Sequence, residues 1–147
     1  MSVFAINKKA RFDYEIKETL EAGLVLLGHE VKSIKIGKVS IKGAYVKIIG
    51  GEAWLIGAVV PPYQPGNIPA DYDEQRNRKL LLKRQELDYV VGKAKEGGLT
   101  LVPIKLYNKK GLIKLEVGVG RGKKKADKRD TIKKRETKRQ IGRAMKS

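Results

Sequence analysis

Apolar residues recur at every second position over much of this chain, and that period predicts a mostly β body. Between Ile16 and Gly28, Leu20, Ala22, Leu24 and Leu26 share one face, while Thr19, Glu21, Gly23 and Val25 share the other. That alternation predicts a strand bounded by Gly28. From Glu30 to Ile36 two patterns fit: Val31 and Ile34 suit a short helical turn closed by Gly37, and alternation fits nearly as well. Tyr45 to Ile49 and Ala53 to Ala58 flank Gly50-Gly51, a two-residue hairpin signal because both turn positions require positive φ. Pro61-Pro62 ends the second of these strands, and a polar loop rich in Pro, Asp and Arg runs to about Arg78.

Arg78 to Leu82 reads as extended, with Leu80 and Leu82 on one face and Leu81 on the other. A helix follows from about Arg84 to Glu96, where Leu87, Val90, Val91 and Ala94 keep helical spacing and Gly97-Gly98 stops it. Lys83 is a poor cap for that helix, although Glu86 favours its N-terminus. Leu99 to Tyr107 and Leu112 to Val119 form a second hairpin around Asn108-Lys109-Lys110-Gly111. In its return strand Ile113, Leu115, Val117 and Val119 point one way, and Leu112, Lys114 and Glu116 the other. Short antiparallel strands with one helix inserted late predict a mainly β fold. Its natural form is a small antiparallel oligonucleotide-binding-type barrel with one to three flanking helices. The barrel domain is expected over 1–119, followed by a basic C-terminal tail over 120–147.

Charge changes the picture most in that tail. The sequence has 33 Lys and Arg against 16 Asp and Glu, a formal charge of +17. Of these, 13 cations and only three acids lie between Gly120 and Ser147, where Ile132, Ile141 and Met145 are the only large apolar side chains. So dense a block repels itself, and it is expected to be disordered until a polyanion neutralises it. Nucleic acid is the commonest such partner, since each neutralised phosphate releases a condensed counterion. Gly118, Gly120 and Gly122 are expected to loosen the exit from the barrel. Beyond them Asp127 and Asp130 favour a helix start, and Lys128, Ile132, Arg135, Arg139 and Arg143 follow at steps of three or four. The tail should therefore become helical on its target.

The same composition excludes other classes. Without cysteine, and with a single histidine, there is no disulfide and no thiolate or histidine-based metal site, and no cofactor is called for. No run of about 18 apolar residues and no signal-peptide pattern occurs, which predicts a cytoplasmic protein with no membrane partner. Nor does an exposed apolar stripe demand a dimer, so a monomer is expected. Gly118 to Lys124 lacks the spacing of a phosphate loop. His29 beside Glu30 reads as an inert, exposed histidine at a strand end. Asp71, Asp73 and Glu74 lie among Arg76, Arg78 and Lys79, which predicts ion pairing within the loop rather than a cation site. No convincing enzyme emerges. Tyr14, Tyr45, Trp54, Tyr89 and Tyr107 fall in or beside core segments, which favours recognition of structured RNA by shape, phosphate and 2′-hydroxyl over stacking on single strands. A ribosomal or ribosome-assembly protein with an rRNA-threading arm fits this composition too, and a nuclease fits it less well.

Five segments together resemble the bacterial SsrA-binding protein (SmpB) family. They are Asn7-Lys8-Lys9-Ala10-Arg11, Glu21-Ala22-Gly23, Gly28-His29-Glu30-Val31-Lys32-Ser33, Arg78-Lys79-Leu80-Leu81-Leu82 and Gly122-Lys123-Lys124-Lys125-Ala126-Asp127-Lys128-Arg129. The resemblance runs from about Asn7 to Met145. It implies an adaptor without enzymatic activity that binds the tRNA-like part of transfer-messenger RNA and delivers it to stalled ribosomes for trans-translation. It also implies RNA contacts at Asn7, Glu21, Leu81 and Lys114, with Lys8, Lys9, Arg11 and Lys83 beside them. In the tail it implies that Lys123, Lys124, Asp127, Lys128, Arg129, Lys133, Arg135, Ile141 and Met145 enter the decoding region and mRNA channel of the small ribosomal subunit. Lys83 departs from the Asn or His of many relatives, and Thr137 from an aromatic found in some.

Overall fold

The structure, a computed structural model, describes residues 2–64, 66 and 68–123. The elements run β1 (Val3–Ile6), α1 (Ala10–Asp13), β2 (Tyr14–Leu24), α2 (Gly28–Lys35), β3 (Tyr45–Ile49), β4 (Glu52–Ile56), β5 (Arg78–Leu81), α3 (Arg84–Lys95), β6 (Leu99–Lys109) and β7 (Leu112–Gly122). All strand pairs are antiparallel in one sheet of order β1-β6-β7-β2-β5-β4-β3. The sheet curls until β3 lies against β6, which gives the mainly β, barrel-like body that the alternation predicts.

Period-two side chains set the two sides of this sheet. Ala22, Leu55, Leu80, Leu106, Leu115, Val117 and Val119 turn inward and are almost wholly buried. Helix α2 adds Ile34 and α3 adds Val90, both fully buried. The ambiguous segment after β2 is thus helical. Strand β2 ends at Leu24 rather than at Gly28, because the Leu27 N–H donates to Glu30 Oε1 (2.8 Å) and starts α2. Leu26 still packs on the core, so the predicted stripe holds where the strand does not. Helix α3 begins in the same way: Lys83 offers no side-chain cap, and its N–H donates to Glu86 (3.1 Å).

Both hairpins use two-residue turns with positive φ. Gly50 and Gly51 sit at 59° and 77°, and Lys110 and Gly111 at 51° and 81°. The second loop is therefore shorter than the four residues expected, and Asn108 and Lys109 belong to β6. Strand β7 also continues past Val119. Gly118 and Gly120 are paired strand residues; at Gly120 the facing backbone leaves no room for a side chain, and at Gly118 a side chain would press on two isoleucines. A Cβ on Gly120 would lie 2.5 Å from the Glu15 carbonyl oxygen, and one on Gly118 would lie 2.9 Å from Ile104 Cδ1. They admit close packing and do not loosen an exit. The short elements β1 and α1 went unpredicted; α1 closes a small second core in which Ala10 meets Val102 and Ile104.

Candidate nucleic-acid interface

The outward side chains of β6, β7, β2 and β5 form two rows across the sheet. Cross-strand register aligns Tyr107 with Lys114, Lys114 with Gly23, and Gly23 with Leu81. One step along, Lys105 aligns with Glu116 and Glu116 with Glu21. Glu21, Leu81 and Lys114 are thus brought together on one face, and Leu81 stays 51% exposed although its neighbour Leu80 is 3% exposed. Gly23 lies beneath that convergence: a Cβ there would meet Leu81 Cβ at 3.4 Å and Lys114 Nζ at 3.6 Å, ordinary contact distances. Lys83 follows two residues later, exposed at the start of α3.

Two carboxylates directly opposite each other repel unless cations intervene. Here Lys105 approaches Glu116 (3.4 Å), Arg11 reaches it from α1 (3.7 Å), and Lys109 pairs with Glu21 (3.0 Å). The Tyr107 hydroxyl donates to Glu21 Oε2 at 2.8 Å. That hydrogen bond, and then the one from Lys109, hold the Glu21 carboxyl below its ordinary range. Burial and the adjacent Glu21 push the Tyr107 hydroxyl up. Lys105 Nζ also lies 5.6 Å from the centroid of the Tyr107 ring, a cation–π contact. Sequence reasoning did not single out Tyr107, Lys105 or Lys109 for this face. Continuous apolar residues from Leu101 to Ile104 and a bulge between Pro103 and Lys105 mask the alternation that assigns them.

Asn7, Lys8 and Lys9 do not join those rows. The Asn7 side chain donates to Pro103 O (2.9 Å) and its backbone N–H to Ile104 O (2.8 Å), which fastens the N-terminal segment to β6. With Lys8, Lys9, Lys42 and Tyr45 it lines a cleft of about 730 Å³ between that segment and the start of β3. Lys123 is tied through its N–H to Asp13 O (2.8 Å). Lys124, Asp127, Lys128, Arg129, Lys133, Arg135, Ile141 and Met145 lie outside the described residues.

Three readings of the loop and the aromatics are corrected. Arg76 and Arg78 pair with Glu30, not with Asp71, Asp73 or Glu74, and Lys79 pairs with Glu52 (3.0 Å). Glu30 is wholly buried, and its Oε2 accepts from Arg78 Nη2 (2.6 Å) and Arg76 Nε (3.0 Å), with the Tyr72 hydroxyl 2.9 Å away. Arg78, also buried, donates further to Ala58 O (2.8 Å) and Glu74 O (3.0 Å). Burial alone would raise the Glu30 carboxyl; the Arg76 hydrogen bond, the Leu27 N–H and Arg78 overcome it and hold it at about 2. Burial, and then Glu30, push Tyr72 up to about 12. Secondly, His29 is neither fully exposed nor on a strand. It opens α2 half-buried, edge-on to Tyr72 with ring centroids 4.5 Å apart. Both its ring nitrogens are buried without a hydrogen-bond partner among the described residues. Thirdly, Tyr45 and Tyr89 are 50% and 38% exposed, so two of the five aromatics are surface groups. Among the described residues no group of three or more His, Cys, Asp or Glu is placed to hold a metal, and no helix is long and apolar enough to cross a membrane.

Comparison with known proteins gives a consistent result. The family described as "SmpB protein" matches residues 4–147. An SsrA-binding protein of Thermosynechococcus vestitus is 50% identical over 146 residues, covering 99% of this chain and 96% of its own. One from Geobacillus thermodenitrificans is 51% identical over 142 residues, covering 97% and 91%. Among solved structures, a chain described as "tmRNA-SmpB: a journey to the center of the bacterial ribosome" superposes with a TM-score of 0.64 at 45% identity, covering 82% of this chain and 84% of that one.

Proposed function

Because the chain belongs to the SmpB protein family, we propose that it is the adaptor that binds transfer-messenger RNA and carries it to stalled ribosomes for trans-translation. It is an RNA-binding protein and not an enzyme. Its partners are transfer-messenger RNA and the ribosome, and it works in the cytoplasm. The observation that carries the site reading is the convergence of Glu21, Leu81 and Lys114 over Gly23 on one outward face. Lys114 offers a cation to phosphate, Leu81 an apolar surface to a ribose or base, and Glu21 an acceptor to an RNA donor. Arg11 and Lys83 border that face, while Asn7, Lys8 and Lys9 contribute from the neighbouring cleft. The basic tail is the ribosome-binding part, drawn along a path lined by RNA phosphates, whose charge turns its self-repulsion into attraction.

Truncation after Lys123 separates the two parts. It removes most of the tail charge and leaves β7 whole, so binding to the tRNA-like part of transfer-messenger RNA should weaken only modestly while tagging on stalled ribosomes is lost. A drop in RNA affinity of about 1,000-fold at physiological salt would mean that counterion release through the tail, and not the sheet face, holds the RNA.

A further inference from the structure

Glu21 is held by its neighbours in one pose, with one oxygen used and the other left open. The Tyr107 hydroxyl (2.8 Å) and Lys109 Nζ (3.0 Å) both bond Oε2. A carboxylate oxygen offers about two lone-pair sites, and on Oε2 each already has a donor. Oε1 accepts no hydrogen bond among the described residues. The facing carboxylate does not compete for those donors, since Glu116 takes Lys105 and Arg11 instead. Tyr107 is itself fixed: it is 6% exposed, Val3 of β1 lies opposite it in register, and the Lys105 ammonium sits over its ring.

From this we infer that Tyr107 is a positioning residue for RNA recognition, one that fills Glu21 Oε2 and so presents Oε1 to a single hydrogen-bond donor of the RNA. The inference deepens the proposed function and rests on it. A carboxylate with one oxygen filled cannot take a paired donor edge, such as the N1–H and N2–H₂ of guanine, through both oxygens. It suits one donor: a ribose 2′-hydroxyl, or the guanine N2 amino group met singly. Lys109 alone would not impose the pose. Its ammonium is a point charge on a flexible stem, whereas the buried Tyr107 ring gives the hydroxyl one direction.

The test uses the full-length chain and a transcript of the tRNA-like part of transfer-messenger RNA. Tyr107→Phe keeps the ring and removes the one donor. It should weaken binding up to about tenfold, the scale of re-ordering one freed side chain on binding, and lower the melting temperature by no more than a few degrees. In a Glu21→Ala background the same change should cost nothing further, a non-additivity that a general structural role would not produce. Transcripts with 2′-deoxy substitutions or with inosine for guanosine identify the donor. One of them should lose affinity for the wild-type chain and not for Glu21→Ala. Full additivity of the two substitutions, wild-type binding by Tyr107→Phe, or equal losses with every modified transcript would each overturn the inference. If Glu21→Ala itself binds like the wild type, the reading of the whole face fails, and the positioning role fails with it.

Discussion

Glu30 and Glu21 are both glutamates held by a tyrosine hydroxyl and by cations, yet one lies under the sheet and the other on it. Around Glu30 the partners are two arginines, a backbone N–H and Tyr72, and both Glu30 and Arg78 are almost wholly buried. Every oxygen there is occupied, so the cluster cannot receive a ligand. It ties α2 and the segment around Tyr72–Arg76 to β5. Around Glu21 the partners are one tyrosine and one exposed lysine, and an oxygen remains. Burial turns the first cluster into a strut, and exposure leaves the second with an oxygen open to solvent. The two should therefore respond to the same substitution in opposite ways.

The largest difference should follow Glu30→Ala. Removing one member of a buried pair leaves Arg78 charged and uncompensated, a loss of about 3–5 kcal/mol. Denaturant unfolding should show that loss, and Glu21→Ala should cost only about 1 kcal/mol, the scale of the hydrogen bond it withdraws from Tyr107. Equal losses at the two positions would erase the distinction between strut and reader.

Acid should act mainly on the strut, since the Glu21 carboxyl is also held low but on the open face, where solvent screens its partners. The folded Glu30 carboxyl is held at about 2, against an ordinary 4.5. A group depressed on folding adds stability that is fully present above its unfolded value and is lost as pH falls through its folded value. Between pH of about 4.5 and 2 the protein should thus lose about 3 kcal/mol through this one residue. Glu30→Gln should be less stable at neutral pH and should have a flatter stability profile over that window. If wild type and variant fall in parallel with acid, other carboxylates govern acid unfolding.

Much of this contrast was legible in the sequence, and where it was not the reason is physical. Alternation in β2, β5 and β7 assigns Glu21, Leu81 and Lys114 to the outer face, because a half-buried sheet imposes its period on the residues. The pairing of Glu30 with Arg78 was not legible. Ion-pair choice across so long a separation in the chain is decided by topology, and nearer acids at Asp71, Asp73 and Glu74 offered a local alternative. The glycines of β7 misled for a related reason. A glycine that loosens a linker and one that admits a neighbouring backbone look alike until the Glu15 carbonyl is seen 2.5 Å from the missing Cβ of Gly120. Strand β1 and helix α1, at four residues each, are too short to show a period.

The smallest change in stability belongs to Leu81→Ala, and it tests the sidedness of the sheet most directly. Leu80 and Leu81 are adjacent and alike in chemistry, and the pleat alone sends one inward at 3% exposure and the other outward at 51%. Truncating a core leucine costs about 2–5 kcal/mol through lost burial and the cavity left behind. Leu81 is already half exposed, so it has less burial to lose, and no cavity forms where its side chain meets solvent over Gly23. Its removal should therefore change the unfolding free energy by less than about 0.5 kcal/mol. It should still weaken binding to the tRNA-like part of transfer-messenger RNA, because the apolar element between Lys114 and the start of α3 is gone. A large fall in stability would place Leu81 in the core and shift the register of β5 by one residue. Unchanged RNA binding with unchanged stability would leave the register intact and remove Leu81 from the interface.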